Sequence, residues 1–84
     1  MNLFWWRKKK LVFDAWIPAI EIIAADFGLS VKKPVYVGDD LVMVLYIGDR
    51  NVGDINLHHI ARLWLKEDIA LPYVIHECTA AIKR

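Results

Sequence analysis

Seven consecutive apolar residues, Leu41-Val42-Met43-Val44-Leu45-Tyr46-Ile47, lie between Gly38-Asp39-Asp40 and Gly48-Asp49. The run is far too short for a transmembrane helix, which needs ~18 or more apolar residues. Bounded by turn-forming residues, it reads as a strand. An antiparallel strand with one face in water normally alternates apolar with polar residues. This one does not, so both faces of its sheet are expected to find cover.

The flanking segments fit an antiparallel meander. Val35–Val37 precedes the central run, and Val52–Ile55 follows it after Gly48-Asp49-Arg50-Asn51. Helical spacing appears on either side. Over residues 14–27, Phe13, Trp16, Ile17, Ile20, Ile23, Ala24 and Phe27 recur at three and four. Asp14 suits an N-cap, Gly28 a left-handed stop, and Pro18 is expected near the first turn. Asn56 suits an N-cap for a helix over 57–66, with Leu57, Ile60, Ala61 and Trp64 inward. Pro72 suits the first turn of a helix over 72–83, with Val74, Ile75, Cys78, Ala81 and Ile82 inward. The expectation is one α+β domain over residues 1–84. It has a three-stranded antiparallel meander and three helices, in the order α-β-β-β-α-α.

Composition narrows the function classes. Hydrophobic residues make up 57 % of the 84 and the formal net charge is +1, which excludes a disordered chain and any global pull toward nucleic acid. A lone cysteine, Cys78, excludes a disulfide scaffold. The cations at residues 7–10 precede an apolar stretch as in a signal peptide, but Asp14, Pro18 and Glu21 interrupt it. A cytoplasmic protein is the expectation.

Three kinds of chemistry can be weighed. Tyr36-Val37-Gly38-Asp39-Asp40-Leu41-Val42 resembles the apolar-Gly-Asp-Asp-apolar hairpin of viral RNA polymerase palms. The resemblance covers seven residues and implies a Mg²⁺-binding carboxylate pair. Such enzymes need a further carboxylate on another strand and several hundred more residues. Gly-Asp is also what hairpin geometry selects. Gly48-Asp49 and Gly53-Asp54 repeat the pair, but a seven-residue strand holds its end turns about 23 Å apart. A metal-dependent enzyme here is the least favoured reading.

His76-Glu77-Cys78 is not a ligand pair, because residues two apart on a helix do not share a face. Cys78 falls on an apolar stripe and is expected to be inert. No Gly-rich phosphate loop, nucleophilic serine motif or Cys/His metal spacing is present, so no cofactor is expected. A nucleic-acid-binding accessory role would use Arg7, Lys8, Lys9 and Lys10, with a helix stripe of His59, Arg62 and Lys66. The aromatic-basic opening Leu3–Lys10 also suits an anionic membrane surface and reads equally as an edge strand, and the edge-strand reading is preferred.

The favoured reading is a non-enzymatic interaction module that works as a homo-oligomer, a dimer first of all. So apolar a chain cannot hide all its surface as a small monomer, which buries only ~60–65 % of its unfolded area. Two patches are expected to form the interface. One is Ala15, Ala19 and Ile22, opposite the inward face of the first helix. The other is Val42, Val44 and Tyr46, on one face of the central strand.

Overall fold

A computed structural model describes the backbone of residues 3–66 and 69–84, and the side chains of residues 9–63 and 69–84. The chain forms α1 (Leu3–Asp26), β1 (Ser30–Val31), β2 (Val35–Val37), β3 (Asp40–Ile47), β4 (Arg50–Asn56), α2 (Leu57–Lys66) and α3 (Ala70–Ile82). It is the expected α+β class with antiparallel pairing throughout, but the sheet has four strands.

β3 is the centre of the sheet. β4 pairs along one edge from Val42↔Asn56 to Ile47↔Arg50. β1 and β2 share the other edge, through Ser30↔Tyr46 and Val35↔Val42. They behave as one strand broken at Lys33-Pro34. The Lys32 N–H still donates to Val44 O at 3.4 Å, and Pro34 has no N–H to continue the ladder. Both hairpins turn on two residues, Gly38-Asp39 and Gly48-Asp49. Gly38 and Gly48 have φ of 63° and 60°, as a primed hairpin turn requires at its first position. A register shift beside Leu45/Tyr46 bulges β4 at Val52, where Arg84 Nη1 donates to Val52 O at 2.9 Å.

Pleating divides β3 between two environments. Met43 and Leu45 enter the core with Ile55 of β4, and Leu41 packs at its margin. Ile20 and Ala24 of α1, Leu57 and Ile60 of α2, and Val74 and Cys78 of α3 close over that face. Each fully buried Ile or Leu stabilises by roughly 1.5–3 kcal/mol. Val42, Val44 and Tyr46 alternate to the other face and are outside this core.

α1 departs most from expectation. It begins at Leu3 rather than near Asp14, so Leu3–Lys10 is helix and not an edge strand. Asp14 and Pro18 both lie inside it. A mid-helix proline removes the hydrogen bond to the carbonyl four residues back, here that of Asp14, at a cost of about 3 kcal/mol. Pro18 is on the exposed side, while Val12, Ile20 and Ala24 are buried on the other, so core packing on both sides of Pro18 outweighs the penalty.

α3 also differs in detail. Its buried line is Ala70, Val74, Cys78 and Ala81. Ile75 and Ile82, expected inward, are exposed. Small residues nearest the neighbouring elements let the helix approach closely, and the bulkier isoleucines fall on its flank. Trp64 lies outside the described side chains.

Candidate interaction surface

The start of α2 is built around Asn56, which caps the helix as its sequence suggests. The Asn56 carboxamide oxygen accepts from the His59 N–H at 3.0 Å. The Asn56 N–H donates to the Tyr73 hydroxyl at 3.0 Å, and the His59 ring meets the Tyr73 ring edge-on at 4.6 Å. One tyrosine of α3 therefore clamps the β4–α2 junction. Burial pushes the Tyr73 phenol pKa up and outweighs the Asn56 N–H, which pulls it down; Glu77 and Asp54 add to the upward push. Tyr73 was not picked out from the sequence, where nothing distinguishes its hydroxyl from a solvent-facing one.

This clamp changes the proposed basic stripe. His59 is half-buried against Tyr73, while Arg62 is exposed. Lys10 is exposed on α1 and Lys9 is half-buried. The side chains of Arg7, Lys8 and Lys66 lie outside the described residues. Among the described side chains of that set, Lys10 and Arg62 are the exposed ones.

The Gly-Asp-Asp string forms a tight hairpin. Asp39 lies in the turn and Asp40 opens β3, 3.9 Å from the imidazole of His58. Among the described residues, no group of three His, Cys, Asp or Glu side chains comes together that could hold a metal ion. Cys78 is buried, and burial followed by the nearby Glu77 pushes its thiol pKa up.

The remaining candidates are the apolar surfaces. On the outer sheet face Val42 is only 5 % exposed, Val44 and Tyr46 are half-buried, and Lys32 Nζ stands 4.5 Å over the Tyr46 ring. Val42 therefore has little area left to give a partner. α1 offers more. Leu11 is 69 % and Ile22 66 % exposed, and Ala15, Pro18 and Ala25 are exposed between and beyond them. Spacings of three and four place all five on one stripe along the helix. Ala19 sits at its flank, half-buried.

Among the described residues, no helix is long and apolar enough to cross a membrane. Comparison with protein-family models, curated proteins and solved structures finds no match to this chain.

Proposed function

We propose that the chain is a non-enzymatic interaction module that acts as a symmetric homodimer. The observation that carries this reading is the outward stripe of α1, apolar over four turns and uncovered by any other part of the described chain. Helix faces in water normally carry charged and polar residues. A contiguous apolar stripe instead marks a contact surface. The lone buried thiol of Cys78 suits a reducing compartment, and the cytoplasm is the location we assign.

Light scattering on a size-exclusion column tests the reading. At micromolar concentration the mass should be twice the 9.7 kDa of the chain. A soluble species of single-chain mass, unchanged across a dilution series, overturns it. Nuclease-sensitive absorbance at 260 nm travelling with that single-chain species would favour nucleic acid, with Lys10 and Arg62 as the contacts.

A further inference from the structure

We infer that a second copy of the chain adds to the sheet along β2, antiparallel and about a two-fold axis at Tyr36. The occupant is again another copy, but this contact lies on a surface other than the α1 stripe and does not depend on it.

The two edges of the sheet are finished differently. On the β4 edge α3 supplies partners: Arg84 Nη1 donates to Val52 O at 2.9 Å, and the Asn56 N–H donates to the Tyr73 hydroxyl at 3.0 Å. The β2 edge has no such cover. Val35, Tyr36 and Val37 are 47, 69 and 61 % exposed, so no helix of the described chain overhangs them. The Leu41 N–H points across β3 toward α2, where His58 accepts it. Tyr36, the register partner of Leu41, therefore turns its own N–H and C=O away from β3. An edge strand with a free donor and acceptor is a template for another strand.

That edge accepts only a short partner. The register steps by one residue between Ser30↔Tyr46 and Val35↔Val42, and Pro34 has no N–H, so a straight strand can follow Val35–Val37 and little more. β2 is itself such a strand. With Tyr36 set against Tyr36 of the other copy, each N–H donates to the other's carbonyl. Val35 then lies opposite Val37 of the other copy, twice, on the outer sheet face. An axis at Val35 would set Tyr36 against Pro34 and lose a donor on each side. An axis at Val37 would set Tyr36 against Gly38, which has already left the strand at a φ of 63°.

Charge selects the same register. Lys33 comes beside the hairpin tip of the other copy, where Asp39 is exposed, as Lys33 itself is. Symmetry makes this pair twice. The two Asp39 residues stay six positions apart along the strands, about 20 Å, and so do the two Lys33 residues. The segment from Lys33 to Asp39 thus carries both halves of the match: a cation, a three-residue strand, and an acid. Three residues per strand bury far less than the ~1,200 Å² below which complexes are weak. The contact is expected to form toward ~1 mM, above the micromolar range in which the α1 reading is tested.

Amide exchange reads the edge directly. Exchange at Tyr36 should slow about twofold or more between ~10 μM and ~1 mM chain, while Met43, bonded within the sheet, should not respond. Val35→Cys chains mixed with Val37→Cys chains should oxidise to a disulfide faster than either alone. Opposite residues of such a pair have Cα atoms about 4.5 Å apart, within disulfide reach, whereas like positions lie on the diagonal. Cys78 is buried and does not compete. Lys33→Glu should weaken the pairing about three- to tenfold at low salt, and mixing it with Asp39→Lys should restore it.

Tyr36 exchange that ignores concentration, with no preference for the Val35→Cys to Val37→Cys pair, overturns the β2 pairing. A doubled mass at micromolar concentration would then still support the reading from α1. Conversely, a single-chain mass at micromolar concentration together with protection of Tyr36 toward ~1 mM would overturn the α1 reading and support the β2 pairing.

Discussion

The Nδ1 atom of His58 accepts a 3.0 Å hydrogen bond from the backbone N–H of Leu41. In the β3–β4 register Val42 faces Asn56, so the next partner of Leu41 would be residue 57. There the chain has already turned into α2. The imidazole supplies the acceptor that the strand no longer provides, which places the ring proton on Nε2. Phe13 of α1 packs on the same ring, edge-on, with centroids 5.4 Å apart. Replacing His58 by Ala should destabilise by about 1–3 kcal/mol, since it orphans a partly buried N–H. Chemical denaturation measures the loss. Amide exchange at Leu41 should accelerate more than at Met43; equal acceleration would place the cost elsewhere.

Tyr73 gives the fold an alkaline limit. Its phenol pKa is raised in the folded protein, chiefly by burial, so the folded state holds this proton more tightly than the unfolded chain. That contribution is intact below the unfolded value near 10 and is lost as pH rises through the higher folded value. Stability should therefore decline above about pH 10. Tyr73→Phe should cost about 1–2 kcal/mol at neutral pH by leaving the Asn56 N–H unpaired, and should flatten that decline. A variant with the same alkaline slope as the parent would show that another group sets it.

Cys78 should resist thiol reagents in the native state. It is fully buried on α3, and burial together with Glu77 disfavours its thiolate. Labelling is expected at the rate at which the protein unfolds, rising with denaturant in step with that transition. Cys78→Ser should cost about 1–3 kcal/mol by burying a hydroxyl. Rapid labelling without denaturant would contradict the observed face of α3.

Pro18 should be a site where stability increases. Pro18→Ala restores a donor for the Asp14 carbonyl within α1 and leaves the exposed stripe small. A rise in stability of about 1–3 kcal/mol is expected from helix propensity, reduced by the greater freedom of the unfolded chain. Thermal melts compare the two proteins. A lower melting temperature would mean that the proline ring makes a contact worth more than the hydrogen bond it removes.

The strands were legible wherever side-chain chemistry and turn chemistry agreed. Gly38-Asp39 and Gly48-Asp49 bracket β3 unambiguously, because few residues other than glycine tolerate that φ. Asn56 announced α2 for an equally local reason. β1 carried no such signal: two residues beside Lys32-Lys33-Pro34 have no period, and only the unpaired edge of β3 makes them a strand. The N-terminal half of α1 was hidden by Pro18, whose local cost is real but smaller than the packing on both sides of it. Ile75 and Ile82 misled because hydrophobicity alone ranks isoleucine above alanine for the core, whereas close helix packing prefers the smaller side chain. The exposed stripe of α1 was visible through Ala15 and Ile22. Its continuation through Leu11 and Pro18 needed the helix to be unbroken.

Every strand pairing in the sheet joins residues between 30 and 56, and each hairpin closes through a two-residue turn. The order in which the chain can assemble follows from this. Pairings so close in sequence close small loops, and hairpins of this kind form in about 1–10 μs. The search for the sheet is therefore short, and folding speed should depend on how α1 and α3, which are far apart in the chain, find their places on a β3–β4 ribbon already formed. In a refolding experiment, substitutions in that ribbon and on the packed faces of α1 and α3 should therefore slow folding.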